Sequence, residues 1–269
     1  MKKLLTILSI TAVTLFFNGG VAYAAFTSAQ SVDMENSASE GQSMTIADAS
    51  QTGLDFSSDF TIEAWVKPES AGANMTIVAK KDTNQEQYTF VYRQSGGPLL
   101  RLTVNQLCNG TDQDILDKTT TLSNGTWYHV KVTYTLSTKT AEFYVNGTSI
   151  GTTVGANVTA LADCTSPFAV GVQYDTGTID GSVGWDGMID EVRVWSNATQ
   201  TSDNKCETIS SGSGLQGSWL FEGDSTNRKL DETSNNNDLT ENNTPSFSST
   251  IPSCAAASTG FSPWQFSDI

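Results

Sequence analysis

Between Phe60 and Val66 the chain repeats at period two, so that Phe60, Ile62, Ala64 and Val66 share one face of an extended segment. A helix, with 3.6 residues per turn, would spread those four side chains around its circumference, so this stretch reads as a strand. The same signature returns along the chain. Gln87 to Arg93 sets Tyr88, Phe90 and Tyr92 opposite Thr89 and Val91, and Leu99 to Val104 follows the Gly96-Gly97-Pro98 turn. Trp127 to Tyr134, Ala141 to Val145, Phe168 to Val172, Met188 to Trp195 and Leu215 to Phe221 continue the series, and Asn146-Gly147 is the strongest hairpin signal. With the weaker Ser31–Asn36, Gln42–Ile46, Thr76–Lys80 and Ile115–Leu122, about twelve strands are predicted. Helical periodicity is nearly absent; the one candidate is a turn or two around Asp203 to Ile209, capped by Ser202 or Asp203. From Asp224 to Ser253 the composition is polar and Asn-rich and reads as loops with little strand. Many half-apolar strands can be buried together only by stacking sheets, so the expected fold is an all-β sandwich of two antiparallel sheets.

The first residues indicate a compartment. Met1-Lys2-Lys3 is a short positive region, Leu4 to Phe17 is an apolar run, and Ala22-Tyr23-Ala24 offers the small-x-small pattern of signal peptidase cleavage. Residues 1–24 are therefore expected to be a signal peptide, residues 25–254 one domain, and residues 255–269 a tail that carries Phe261, Trp264 and Phe266. The apolar run is shorter than the ~20 residues a membrane span needs, so no membrane insertion is expected. The product reads as secreted and extracellular, with the periplasm as the alternative. Cys108, Cys164, Cys206 and Cys254 fit that setting: they are even in number and without a C-x-x-C pair, which argues for two disulfides rather than a zinc site. Of the three pairings, Cys108–Cys164 and Cys206–Cys254 are favoured because each brackets a coherent block of strands. A formal net charge of −15 opposes nucleic acid as a partner and also opposes an anionic membrane. Nothing in the sequence sets an oligomeric state.

Several strands carry family wording. Phe60-Thr61-Ile62-Glu63-Ala64-Trp65-Val66-Lys67-Pro68, Trp127-Tyr128-His129-Val130 with Val132-Thr133-Tyr134, and Ala141-Glu142-Phe143-Tyr144-Val145-Asn146-Gly147 occur in order. Gly187-Met188-Ile189-Asp190-Glu191-Val192-Arg193-Val194-Trp195 and Gly214-Leu215-Gln216-Gly217-Ser218-Trp219-Leu220-Phe221-Glu222 follow, and then the Asp231 to Leu239 loop. Together they resemble laminin-G-like jelly-roll domains of the concanavalin-A-like lectin/glucanase superfamily. The resemblance implies a concanavalin-A-like jelly-roll β-sandwich. It also implies a structural calcium held by an Asp near the start of the last long strand, which by motif position is Asp190.

Glycosidases occur among such relatives, and a retaining one needs two carboxylates about 5 Å apart. The E-x-D-x-x-E run that delivers them is missing; the nearest segment, Glu222 to Asn227, ends in Asn and is broken by Gly223. Asp190 and Glu191 are adjacent and are expected on opposite faces of a strand. The single histidine, His129, lies inside a strand without a G-x-S-x-G elbow, and reads as structural. Asp175, Asp180, Asp186, Asp190 and Glu191 crowd one Gly-rich segment with oxygen ligands suited to calcium, though not at EF-hand spacing. Trp65, Trp127, Trp195 and Trp219 fall at strand positions and read as core. Trp185, in a polar loop with Tyr174 upstream and Asp186 beside it, is the expected ligand contact, because sugars present apolar faces ringed by hydroxyls. The reading is a secreted, non-catalytic recognition module that binds an extracellular glycan or protein through sandwich loops. The alternatives are a structural or adhesive surface component and an unusual glycoside hydrolase.

Overall fold

The computed structural model describes residues 28–36, 38–70, 74–200, 206, 207, 209 and 211–254. The expected signal peptide, the aromatic tail and most of the expected helical turn lie outside them. The strands are β1 (Ser31–Met34), β2 (Ser43–Ile46), β3 (Phe60–Pro68), β4 (Asn74–Asp82), β5 (Gln85–Arg93) and β6 (Leu99–Asn105). They continue with β7 (Gln113–Thr119), β8 (Tyr128–Thr135), β9 (Thr140–Val145), β10 (Thr148–Val154), β11 (Phe168–Val170) and β12 (Gln173–Asp175). The last are β13 (Thr178–Asp180), β14 (Gly187–Trp195), β15 (Leu215–Trp219), β16 (Thr240–Asn242) and β17 (Ser246–Ser248). One sheet runs β10-β9-β8-β3-β14-β1-β17, with β15 beside the second half of β14; the other runs β16-β2-β11-β4-β5-β6-β7. β12 and β13 form a separate hairpin. Every described pairing is antiparallel, as expected of the sandwich, and each of the expected strand segments overlaps an observed one.

Local chemistry explains much of this layout. Asn146 and Gly147 both adopt positive φ, 51° and 77°, the conformation of a two-residue hairpin turn whose twist matches the flanking strands. Phe60, Ile62, Ala64 and Val66 all face the core with no exposed surface, as do Tyr88, Phe90 and Tyr92 from the facing sheet. Phe60 stacks on Phe56 at 4.6 Å between ring centroids and meets Tyr134 at 5.4 Å. Burial of each such side chain stabilises the fold by about 1.5–3 kcal/mol. The disulfides are Cys108–Cys164 and Cys206–Cys254, with Cα atoms 5.6 and 5.5 Å apart.

The Asn-rich stretch after Asp224 is mostly loop with little strand, as expected, and that little supplies an edge strand to each sheet: β16 pairs with β2 and β17 with β1. These strands are three residues each and mostly half-buried, too short for apolar alternation to mark them; backbone pairing recruits both, and in β17 Phe247 also packs against the core with Arg228 over its ring. Between the outer strands and β15, the loop from Asp231 to Leu239 is a polar staple. Asp231 accepts hydrogen bonds from the Ser218, Thr233 and Asn237 amides, and the Asn237 amide group donates to the carbonyls of Thr52 and Gln216.

Candidate functional site

The outward-facing positions of β4 to β7 line an open groove of about 230 Å3. Register sets the rows: Thr76, Val91 and Arg101 stand side by side, and Thr89, Thr103 and Ile115 form the next row. Gln173 and Val183, at the two ends of the segment that holds the β12–β13 hairpin, form one wall. The hairpin is pinned to the β4–β5 turn, where Asp82 accepts from the Gly177 amide at 3.0 Å. Ile115, 50% exposed, Val91 and Val183 give the groove its apolar surface, and among the described residues no aromatic ring lines it. Lys81 pairs with Glu86 at 3.5 Å, and Arg101 makes a two-pronged bond to Asp117 at 2.7 Å on each prong. Asn74 Oδ1, Thr76 Oγ1 and Arg93 Nε are buried and have no hydrogen-bond partner among the described residues.

The outer face of the other sheet is different. There Arg193, Glu63, Lys131 and Tyr144 occupy one cross-strand row over β14, β3, β8 and β9, and all four are buried. Arg193 Nε lies 2.9 Å from Glu63, the Lys131 ammonium sits 4.6 Å from the centre of the Tyr144 ring, and Arg193 Nη1 donates to the Glu207 carbonyl at 2.5 Å. His129, in the next row, is buried, with Nε2 3.6 Å from Glu63 and its ring edge-on to Trp65 at 5.5 Å. These contacts give it a structural setting.

Asp190 and Glu191 sit beside that row and correct an expectation. A bulge in β14 lets Ile189 and Val192 both reach the core, three residues apart, and Glu191 is held at φ 50°. Simple alternation therefore fails, and Asp190 and Glu191 act on each other and on Glu222. Burial, then repulsion from Glu191, raises the Asp190 carboxyl well above its ordinary range. Burial raises Glu191 to about 7, against a lowering pull from Arg193 and with Glu222 adding to the rise. Asp190 accepts from Ser28 Oγ at 2.7 Å and from the Glu191 amide at 2.8 Å, while Glu222 accepts from the Ala29 and Gln30 amides. Among the described residues no cationic side chain pairs with Asp190. Carboxylates are the hard oxygen donors that calcium takes, but among the described residues the carboxylates of Asp190, Glu191 and Glu222 do not all close within 4.8 Å of one another, so Asp190 offers the ion a carboxylate and not a formed three-carboxylate cage. A second acidic group, Asp33, Glu35 and Glu69, brings its carboxylates within 4.8 Å of one another.

The residues expected to touch a ligand do not converge. Trp185 is fully buried in the core, its amide bonded to the Gly171 carbonyl and its carbonyl accepting from Asn36. Its indole, worth ~150–250 Å2 of buried surface, is drawn inward from a loop that looked polar. Asp186 is also buried, accepting from the Asn36 amide at 3.1 Å, and so is structural. Tyr174 is half-buried on the β12–β13 hairpin, one residue from the groove-lining Gln173. Sequence reasoning thus located a segment that borders the groove but not the residues that line it. Their only signal, polar side chains at outward strand positions, is shared with the buried face of the other sheet. Of the tryptophans expected in the core, Trp65, Trp195 and Trp219 are buried and Trp127 is half-buried.

Comparison with known proteins places this geometry. No curated protein sequence matches the chain. Among solved structures, a putative carbohydrate binding protein from Bacteroides ovatus superposes with a TM-score of 0.60 at 20% identity, covering 82% of this chain. The match spans 59% of that protein's length. A heptameric SAP-like pentraxin from Limulus polyphemus gives a TM-score of 0.50 at 14% identity, covering 85% of this chain and 90% of its own. The Ruminococcus gnavus IT-sialidase CBM40, bound to α2,3 sialyllactose, gives 0.50 at 16% identity, covering 66% and 95%. These likenesses concern the fold. A laminin-G type family profile, described as the concanavalin A-like lectin/glucanases superfamily, matches residues 36–203, more than half of the 269. With the two-sheet sandwich already traced, the chain belongs to the concanavalin A-like lectin/glucanase superfamily.

Proposed function

We propose that the protein is a secreted, non-catalytic module that binds a carbohydrate in the groove across β4 to β7. The observation that carries this reading is the groove itself: a concave, polar sheet face with threonine, asparagine, glutamine and cationic side chains set around three aliphatic ones. Sugars need that combination of hydrogen-bonding groups with some apolar surface. Glu86 is the one carboxylate in its lining, and it is paired with Lys81, which supports binding over glycoside hydrolysis by a carboxylate pair. A carbohydrate binding protein and a sialyllactose-bound module among the structural neighbours support the same reading, and two disulfides suit an extracellular location.

Calcium belongs to the proposal as a structural ion. Asp190 would hold it together with further oxygen donors, and the ion would supply the positive charge that favours the ionised form of this buried carboxyl and of its neighbour Glu191. The test has two parts. Titration calorimetry against an oligosaccharide panel is expected to show binding that Thr103→Tyr abolishes by placing a ring in the groove, with the melting midpoint little changed. Calcium is expected to raise the midpoint and a chelator to lower it, since a ligand of the native state stabilises it. Absence of saccharide binding, or binding indifferent to Thr103→Tyr, overturns the groove; a midpoint blind to calcium overturns the ion.

A further inference from the structure

We infer that the groove is built for a saccharide bearing a carboxylate or sulfate group, gripped by Arg93. The inference rests on the groove being the carbohydrate site and specifies what it selects.

Three of the chain's 14 lysine and arginine side chains, Lys81, Arg93 and Arg101, line this one groove. Two are neutralised within the protein, Lys81 by Glu86 and Arg101 by Asp117. Arg93 forms no ion pair and no side-chain hydrogen bond among the described residues, and its Nε is buried without a partner. Its cross-strand neighbour on β4 is Asn74, whose side-chain oxygen also lacks a donor. Glu86, the lining carboxylate, is seven positions away along β5, roughly 24 Å at strand spacing. The groove therefore has an internally balanced end and an end where a guanidinium faces the cleft unmatched.

That arrangement is informative in this chain because its formal net charge is −15. Long-range electrostatics disfavour an anionic ligand, so any preference for one must come from a local, geometrically matched group. A guanidinium presents parallel N–H donors that fit the two-oxygen edge of a carboxylate or sulfate, a match a lysine cannot make. The described residues of the lining offer no aromatic ring to stack on a neutral sugar face, so their contribution to affinity draws mainly on polar contacts. Thr89, Thr103 and Gln113 then serve the hydroxyls, and Val91 with Ile115 the ring carbons.

The experiment compares linkage-matched neutral, uronate-bearing and sulfated oligosaccharides by titration calorimetry at low and high salt. Wild type, Arg93→Gln, Arg93→Lys and Thr103→Tyr are used, each shown to be folded by circular dichroism. The expected result is that wild type binds one of the charged forms about tenfold or more tightly than the neutral one, a preference that weakens with salt. Arg93→Gln removes the preference, so that charged and neutral forms bind alike, and Arg93→Lys retains only part of it. The uronate and sulfate arms identify which anion is read. Equal binding of neutral and charged forms that Thr103→Tyr abolishes overturns the role of Arg93 and leaves the groove standing. A charged preference that survives Arg93→Gln does the same. No binding of any saccharide overturns both.

Discussion

The outer faces of the two sheets carry similar side chains and have opposite fates. Over β14, β3 and β8 the outward residues Arg193, Glu63 and Lys131 are buried and paired with one another or with a ring. Over β4 to β7 the outward residues border an open groove, and Arg93, Asn74 and Thr76 keep polar atoms without a hydrogen-bond partner among the described residues. A buried charge is tolerated only with a partner, so the covered face has become structure. An open face can leave its groups for a ligand. What separates a structural polar row from a binding one is thus not residue type but cover.

Each sheet also has its own staple. Cys108, in the β6–β7 connection, and Cys164, ahead of β11, secure the groove sheet, whereas Cys206–Cys254 secures the segment whose Glu207 carbonyl receives Arg193. The comparison can be broken by substitutions on either side. Glu63→Ala, which takes from buried Arg193 the carboxylate 2.9 Å from its Nε, is expected to lower unfolding free energy by about 3 kcal/mol in urea denaturation, with no change in saccharide affinity of the folded fraction. Removing Cys108–Cys164 by paired alanines is expected to cost about 4 kcal/mol and to weaken saccharide binding as well. The paired alanines at Cys206 and Cys254 should cost a similar amount and spare binding. Equal effects of the two disulfides on affinity would erase the division of labour.

The acid cluster beside the covered face gives a pH signature. Glu191 is raised from 4.5 to about 7 in the folded chain, so the native state holds its proton more tightly than the unfolded state does. The stabilisation is complete below pH 4.5 and is lost as pH rises through about 7, on the order of 3 kcal/mol for this group. Urea unfolding in chelator at pH 5 and pH 8 should show greater stability at the lower pH, and Glu191→Gln should flatten the difference. Calcium should flatten it too, since a cation favours the ionised carboxylates. The smallest effect is expected in the groove: Arg101→Gln, which breaks a part-exposed pair with Asp117, should change stability by less than about 1 kcal/mol. A loss as large as that of Glu63→Ala would show that the groove face, too, is structural.

The strand skeleton was legible because period-two alternation is imposed by the backbone itself: the set Phe60, Ile62, Ala64 and Val66 is found facing inward together. The disulfide pairing followed from the blocks the cysteines bracket, and Asn146-Gly147 turned where its φ preferences require. Three features did not follow. Strands β16 and β17, at three residues each, are too short to show a period-two pattern, and a lone Phe247 anchors the second of them on the core. The bulge at Glu191 breaks alternation at one residue, which no local propensity announces. Trp185 sits among polar neighbours in sequence and among apolar ones in space, so its exposure was misread.

The sequence by itself determined that this chain is a two-sheet antiparallel sandwich with an apolar interior and two disulfides, because side-chain alternation and cysteine spacing act locally or through simple counting. Only the tertiary structure decided which outer face would be covered and which left open, and so which polar residues are bonded to the protein and which await a ligand. That choice depends on where distant segments come to lie, such as Glu207 against Arg193 and the β12–β13 hairpin beside the groove, and no residue encodes it alone.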